Sequence, residues 1–338
     1  MKLLALALAL PAGILLAQTW QPQPTPSKAS LRGICAVDSN VVWASGSAGT
    51  YLTTADGGRS WHAGQAPDAA SLDFRAVHAL DGNRAWLLAS GPGEKSRIYK
   101  TNDGGLHWRL QLANPDPHGF FDALAFWDPT HGIVLGDPVD GRFVIFTTQD
   151  GGEHWSRRPT PPAAPAEGAF AASNTALAVR GTGEVWFATG GRGGARVFHS
   201  SDAGAAWTVA ATPVRSDGPG AGIFSLAFRD ALHGIAVGGD YSKPADDTAN
   251  IAVTSDGGRS WTAPPGARPK GYRSAAAYIA GRNLWIATGT SGTDLSSDDG
   301  QSWQPIDSTA YNALAFLASG AGWAAGPAGR IAAFRLAP

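Results

Sequence analysis

The chain has little cysteine, little glutamate and little charge. Cys35 is the only cysteine among 338 residues, so an internal disulfide is excluded, and its strand-like surroundings indicate a buried, inert thiol. Charged residues make up 16% of the chain, against about 25% in ordinary globular domains. The formal net charge is −1 and no basic run occurs. The sequence therefore shows no sign of nucleic-acid binding.

Several signatures of chemistry are also missing. No G-x-S-x-G motif, haem-attachment motif or dinucleotide fingerprint occurs. The stretch "GGRGG" (190–194) lacks the Lys-Ser/Thr ending of a phosphate-binding loop, and no helix is predicted after it. The histidines have no metal-ligand spacing. We therefore predict no cofactor and no metal, and a redox enzyme is disfavoured.

The N-terminus carries the one long apolar run, from Leu3 to Leu16, after a single lysine. The run is short for a membrane span and fits a secretory signal. We predict a signal peptide over residues 1–17, cleaved after Ala17. No cysteine follows, so a lipid anchor is not expected. The mature chain, 18–338, is expected to be exported to the periplasm or outside the cell, without stable membrane insertion.

What the sequence has in abundance is glycine, 44 residues, together with 13 tryptophans and a repeated motif. The motif begins as "TADGGRSW" (54–61) and recurs five more times, and we call its copies the aspartate turns. Their aspartates are Asp56, Asp103, Asp150, Asp202, Asp256 and Asp298. The spacings run from 42 to 54 residues. A period near 50 in strand-rich units is typical of propeller blades.

The repetition argues that the aspartate turns are structural. We predict that the aspartate accepts backbone N–H groups within its own turn, that the glycines supply positive φ, and that the tryptophan packs between blades. A feature that repeats from unit to unit is expected to be structural, whereas a catalytic site would break the symmetry of the repeats.

The two ends of the chain predict how the array closes. The last unit has three strands, "NALAF" (312–316), "GWAAG" (322–326) and "RIAAF" (330–334), and no aspartate turn. The mature N-terminus begins "TWQPQP" (19–24), which matches "SWQPID" (302–307) after the sixth aspartate turn. Residues near Trp20 are therefore predicted to supply the missing strand, which removes an open edge.

The predicted fold is all-β: a single seven-bladed β-propeller of four-stranded antiparallel blades over residues 18–338. The N- and C-terminal strands share the last blade, and six aspartate turns mark the other blades. We expect the protein to be a monomer.

The D-G-G-x-x-W motifs resemble the Asp-box (BNR) repeats of several propeller families. The order of "LRGICAVDSNVVWASGSAGTYLTTADGGRSW" (31–61) resembles the photosystem II stability/assembly factor family more particularly. The resemblance covers essentially the whole mature chain. It implies a non-catalytic propeller that holds a protein partner, since family members of oxygenic phototrophs are lumenal chaperones for early assembly intermediates.

Candidate binding residues come first from aligning the starts of the innermost strands, where a propeller channel opens. The alignment places seven residues in one column: Arg32, Arg75, Asp122, Phe170, Phe224, Arg273 and Asn312. Tyr272 and Tyr311 precede the last two. Three arginines at one mouth would bind a carboxylate or phosphate. Alternatively, they pair with Asp73, Asp122 and backbone carbonyls and seal the channel.

Longer loops on the same face supply the other candidates, which are Asp137, Glu167, Arg196, Asp240 and Tyr241. Two carboxyls across the channel would suit acid–base hydrolysis of a glycoside. Loop carboxylates also hold calcium. Turn formation is the commonest role of aspartate in Gly/Pro-rich loops, and it is favoured here.

These observations predict an exported scaffold, without catalytic residues, that binds a protein or peptide. The alternative is a glycoside hydrolase or sialidase-like enzyme acting at the channel mouth. Against that alternative, Glu167 is the only glutamate near the arginines and no Arg-Ile-Pro stretch occurs. Two channel carboxyls roughly 5–10 Å apart in an open cleft would favour it.

Overall fold

The computed structural model describes residues 19–335. The signal peptide predicted over residues 1–17 lies outside the described residues and stays a prediction. Within the described range the chain forms seven β-sheets, and all paired strands within them are antiparallel. The innermost strand of each sheet contacts those of its two neighbours, so the sheets close into a ring. The predicted seven-bladed propeller is confirmed.

Each blade runs from an inner strand outwards along the chain. Blade 1 comprises Leu31–Ala36, Val42–Gly46, Thr50–Thr54 and His62–Gln65. Blade 2 comprises Phe74–Ala79, Ala85–Ala89, Arg97–Thr101 and Arg109–Ala113. Blade 3 comprises Phe121–Phe126, Gly132–Val139, Arg142–Thr148 and Ser156–Arg157. Blade 4 comprises Leu177–Arg180, Glu184–Ala188, Arg196–Ser200 and Thr208–Ala211. Blade 6 comprises Ala275–Ile279, Leu284–Gly289, Gly292–Ser296 and Gln304–Asp307.

Blade 5 departs from the four-stranded pattern. Its strands are Ala221–Phe228, Gly234–Asp240 and Ile251–Thr254, and the outer strand is reduced to one bridge between Val253 and Thr262. Prolines at 264 and 265 follow this bridge and cannot donate to a ladder. On the inner side, two short strands, Glu167–Gly168 and Gly190–Gly191, extend the same sheet. Two long loops of blade 4 are thereby fixed to blade 5.

Blade 7 joins the two ends of the chain. Ala313–Phe316, Gly322–Ala325 and Ile331–Arg335 are completed by Thr19–Gln23. Trp20 pairs with Phe334 and its ring lies edge-on to the Phe334 ring at 5.1 Å. The Trp20 indole N–H donates to Thr293 Oγ1 of blade 6 at 3.0 Å. The closure predicted from the two termini is confirmed.

In the part of the chain that the structure describes, helix is confined to three 3-10 turns, Gly93–Lys95, Ala280–Arg282 and Pro327–Gly329. Among residues 19–335, no helix is long and apolar enough to cross a bilayer.

The core lies between neighbouring blades. Trp43, Trp86, Trp186 and Trp285 stand at equivalent places in second strands and are fully buried. The tryptophans of the aspartate turns add to the same layers; Trp61 of blade 1, for example, packs in one cluster with blade 7 residues. Removing a large apolar side chain from water contributes about 2–3 kcal/mol. Inter-blade packing is therefore a main source of ring stability.

The aspartate turns have the predicted geometry. In the first, Asp56 Oδ1 accepts the Ser60 N–H at 2.9 Å, and Thr54 Oγ1 accepts the Gly58 N–H at 2.9 Å. Gly57 and Gly58 have φ of 73° and 86°. Hydrogen bonds from the Ser60 side chain and backbone hold the pKa of Asp56 well below its usual range. The ionised aspartate is thus part of the turn.

Candidate functional site

The inner strands carry the same irregularity at one end. In blades 1, 2, 3 and 5 the pairing of the first two strands shifts by one residue, so that one inner-strand residue has no partner. The extra residues are Arg32, Arg75, Asp122 and Phe224. A bulge turns a side chain out of the ladder. Here the bulges present four side chains of three kinds, two arginines, an aspartate and a phenylalanine, to one end of the channel.

That end of the channel opens into a cavity of about 1130 Å³. Its walls include hairpins between second and third strands and the connections between blades, so it lies on the face opposite the aspartate turns. Seven of the ten predicted binding residues line it: Arg32, Arg75, Asp122, Asp137, Glu167, Tyr241 and Tyr272. The side chain of Glu167, however, is withdrawn from solvent. The remaining three, Arg196, Asp240 and Arg273, are not among the lining residues.

Arg32 and Arg75 share one carboxylate. Arg75 Nε donates to Asp73 Oδ2 at 2.9 Å, and its Nη1 donates to the Ala171 carbonyl at 2.9 Å. Arg32 Nε lies 4.0 Å from the same Asp73 oxygen. Burial, and then the charge of Arg75, lower the pKa of Arg32. Two guanidinium groups against one aspartate leave a formal excess of positive charge at this part of the mouth.

Asp122 and Asp137 stand in the neighbouring blade 3. Asp122 is 1% exposed, and its Oδ2 is buried without a hydrogen-bond partner. Asp137 Oδ1 accepts the Ala169 N–H at 2.9 Å. Burial raises the pKa of Asp137 to about 6. Burial, and then the charge of Asp137, raise the pKa of Asp122 well above its usual value.

Aromatic rings form the next part of the wall. Phe170 stacks on Phe224 with ring centroids 3.9 Å apart and an interplanar angle of 11°. Tyr272 meets Phe224 edge-on at 4.7 Å, and burial raises the pKa of the Tyr272 hydroxyl. Tyr241 lies at the entrance and is 56% exposed. Around the mouth, the wall thus changes from cationic to acidic to aromatic.

Glu167 and Arg196 form a buried structural pair. Arg196 Nε donates to Glu167 Oε1 at 2.8 Å, and its Nη2 donates to Oε2. The Ala164 N–H and the Thr189 hydroxyl supply two further donors to the same carboxylate. Every oxygen of Glu167 is therefore engaged, and the pair fixes the long loops of blade 4 instead of facing a ligand.

Asp240 is also engaged within its own loop. It is 5% exposed and accepts the Ser242 N–H and hydroxyl at 2.9 and 2.7 Å. Burial works against ionisation, but these bonds outweigh it and hold its pKa below the usual value. Lys243 Nζ lies 3.7 Å away. Asp240 thus has the role of a turn-former.

Arg273 does not reach the mouth. The sequence alignment matched "YR" at 272–273 with "FR" at 74–75, but one more residue separates Arg273 from Trp285 than separates Arg75 from Trp86. Arg273 precedes Trp285 by twelve residues, the spacing of Phe74 from Trp86. It therefore takes a buried position, and Ser274 takes the mouth position and lines the cavity. Counting back from the buried tryptophan would have found this.

Blade 4 also differs from the alignment. Its inner strand is Leu177–Arg180, and the register of the hairpin puts Thr175 where Arg32 stands in blade 1. Phe170 belongs to the preceding connection. Phe170 reaches the cavity because the preceding residue, Ala169, is hydrogen-bonded to Asp137. The alignment was therefore right that Phe170 lines the cavity and wrong that it begins an inner strand.

Within residues 19–335, no group of three or more His, Cys, Asp or Glu side chains is arranged to hold a metal ion. The exposed histidines beside the aspartate turns contact the turn aspartates, as His107 does with Asp103 at 2.7 Å. These pairs lie on the face opposite the cavity.

No protein-family model and no curated protein matches this chain. Solved structures do match it. YCF48 bound to D1 peptide is 18% identical, with a TM-score of 0.65, over 93% of this chain and 96% of that chain. YCF48 from Cyanidioschyzon merolae is 19% identical, with a TM-score of 0.66, over 94% and 98%. The structure of U3-55K is 14% identical, with a TM-score of 0.65, over 94% and 98%.

These identities establish the fold alone. The expected resemblance to photosystem II assembly factors is confirmed at that level, because YCF48 is such a factor. Comparable scores for U3-55K and for the WD40 propeller of Doa1, at a TM-score of 0.60, show how widely the architecture is shared. The chain is a propeller whose fold is similar to that of YCF48.

Proposed function

We propose that this protein is a non-catalytic, exported propeller scaffold that binds a peptide or an extended protein segment in the mouth cavity. The observation that carries the proposal is the cavity itself, which is open and about 1130 Å³ in volume. It is lined by cationic, acidic and aromatic side chains from several blades. Pockets that combine an apolar wall with a few placed polar groups are typical binding sites.

Two features favour a peptide over a small metabolite. A cavity of this volume exceeds the usual size of small-molecule sites. Arg32 and Arg75 outnumber the carboxylate they share, so they retain capacity for a carboxylate of a ligand. YCF48, whose fold is similar, has a solved structure bound to D1 peptide, and this supports the proposal that the present chain binds a peptide.

The test is display of random dodecapeptides against purified residues 18–338. We expect enrichment of binders with micromolar affinity. The double variant Arg32→Ala/Arg75→Ala is expected to lose most of this binding. Arg59→Ala, at an exposed arginine on the opposite face, is the matched control and is expected to retain it. A library without binders, or binders indifferent to both mouth arginines, would contradict the proposal.

Export is part of the proposal and rests on the apolar run at the N-terminus. Expression of the full chain in a bacterial host followed by mass spectrometry of the product tests it. We expect the mature protein to begin at Gln18 and to appear outside the cytoplasm. A cytoplasmic product that retains residues 1–17 would contradict export.

A glycoside hydrolase is the second candidate, and one observation favours it. Asp122 and Asp137 both line the cavity, and burial raises the pKa of each, as in acid–base pairs of hydrolases. A panel of 4-methylumbelliferyl glycosides and sialosides tests this candidate. Turnover by wild type that is lost in Asp137→Asn would establish the enzyme, and the absence of turnover would leave the scaffold.

A further inference from the structure

The acidic part of the mouth cavity holds a buried aspartate, Asp122, that has no cation of the same chain beside it, unlike the other buried acids of the described chain. We propose that Asp137, with Asp122 behind it, forms a subsite for a cationic side chain of the bound peptide, the ammonium of lysine or the guanidinium of arginine. This inference rests on the proposed function and specifies the chemistry of the ligand.

The first step is a comparison of enclosed carboxylates. Four acidic residues in the range 19–335 are nearly withdrawn from water: Asp122, Glu167, Asp240 and Asp294. Three of these have a cation of the same chain within 4.0 Å, namely Arg196, Lys243 and Arg273. Asp122 has none among the described residues, and its Oδ2 has no hydrogen-bond partner. A buried carboxyl oxygen without a hydrogen-bond partner is costly, so a group from outside has most to contribute here.

The second step concerns Asp137, which is the more accessible of the two. In the described structure its only hydrogen-bond donor is the Ala169 N–H at 2.9 Å, and no basic side chain lies within 4.0 Å of it. A Cβ at residue 168 would stand 2.8 Å from Asp137 Oδ1, so Gly168 permits this close approach. The loop holds the carboxylate at the cavity wall without neutralising it.

The third step is that neither nearby arginine pairs with Asp122 or Asp137; both lie against Asp73 instead. The charge of Arg75 acts on Asp122, but Arg75 Nε donates to Asp73 and its Nη1 to the Ala171 carbonyl. Arg32 lies beyond Arg75 in blade 1, near the same Asp73. The exposed His118 also lines the cavity, on the connection before blade 3. None of these groups forms an ion pair with the two aspartates in the described structure.

The raised pKa of both carboxyls agrees with this reading. Burial raises the pKa of Asp137 to about 6, and an opposite charge brought close would favour its ionised form. The neighbouring Phe170 and Phe224 rings provide an apolar wall for the methylene stem of a long cationic side chain. Lysine and arginine both combine such a stem with a charged end.

The experiment is calorimetry with N-acetylated hexa-alanine peptides that carry one arginine at each position in turn. Matched peptides carry citrulline, which keeps the shape of arginine and removes its charge. A lysine series is compared with norleucine in the same way. We expect at least one cationic peptide to bind wild-type 18–338 about tenfold more tightly than its neutral counterpart. Asp137→Asn is expected to abolish that preference, and Asp122→Asn to reduce it.

The matched control is Asp140→Asn, at the exposed tip of the same hairpin, which is expected to keep the preference. Thermal unfolding of each variant verifies the fold. Equal binding of arginine and citrulline peptides that still depends on Arg32 and Arg75 would overturn the cation subsite and leave the proposed function intact. A preference unchanged in both aspartate variants would overturn it too. Absence of binding by every peptide at millimolar concentration would count against both.

Discussion

Arg273 and Asp294 form an ion pair that is almost completely enclosed in blade 6, with Arg273 Nε 2.6 Å from Asp294 Oδ2. The same guanidinium donates to the Tyr272 carbonyl at 2.8 Å, the Ser291 hydroxyl at 2.7 Å and the Lys270 carbonyl at 2.9 Å. Arg273 therefore ties the entry of the inner strand to the third strand and its hairpin. It shapes the cavity wall at Tyr272 without lining the cavity.

Removing one partner of this pair leaves the other buried and unpaired. Asp294→Ala is expected to reduce the free energy of unfolding by about 3–5 kcal/mol. The double variant Arg273→Met/Asp294→Ala is expected to recover part of that loss, since the uncompensated charge is gone. Urea unfolding followed by tryptophan fluorescence measures both. A single variant within 1 kcal/mol of wild type would show that the charge reaches water.

The N-terminal strand closes the ring, so its loss should destabilise the whole molecule. Trp20 is 5% exposed and packs against Tyr311, Phe316 and Phe334. Trp20→Ala is expected to cost about 3–5 kcal/mol. Deletion of residues 18–24 is expected to cost more, because the edge of Ile331–Arg335 is also exposed. Calorimetry of the two variants tests this, and an unchanged melting temperature after deletion would contradict the closure.

Two aspartate turns place a non-glycine residue where the others have glycine. Ala203 has φ of 56°, and the equivalent Gly257 has φ of 77°. Ala203→Gly is expected to stabilise the protein by roughly 0.5 kcal/mol, because relief of left-handed strain exceeds the added chain entropy. Gly257→Ala, the reciprocal control, is expected to destabilise it by about 1–2 kcal/mol. Thermal unfolding that gave both changes the same sign would contradict this account.

The raised pKa of Asp137 predicts that the difference in folding stability between wild type and Asp137→Asn depends on pH. Its folded pKa of about 6 exceeds the value of about 3.9 in an unfolded chain, so the folded state holds the proton more tightly. Ionisation therefore destabilises the fold as pH rises from about 4 through 6. At pH 7.5 the variant is expected to be more stable by on the order of 2 kcal/mol.

The same comparison below pH 4 supplies the control, since both side chains are then neutral and the two curves should meet. Urea midpoints measured from pH 3.5 to 8 give the difference directly. A difference that grows towards low pH would reverse the sign and refute the raised pKa.

The local features were predictable because each depends on a few adjacent residues. The Thr54–Asp56–Gly58 pattern specifies its own turn, and six copies specify the number of marked blades. The closure was predicted because "TWQPQP" (19–24) matches "SWQPID" (302–307). The site was predicted less well. The alignment of inner-strand starts found Arg32, Arg75 and Asp122, which the structure places at a recurring bulge. The same alignment misplaced Arg273 by one residue, and Glu167 was found without its role.

The propeller, the aspartate turns and the closure at blade 7 can be predicted from the amino-acid sequence, since they follow from repeated short-range patterns. Which charges are free depends instead on the assembled fold. Glu167 meets Arg196, and Arg273 meets Asp294, across loops whose paths depend on neighbouring blades. Asp122 and Asp137 obtain no such partner in the described chain. Burial and ion pairing are properties of the assembled ring, and they distinguish a structural carboxylate from one available to a ligand.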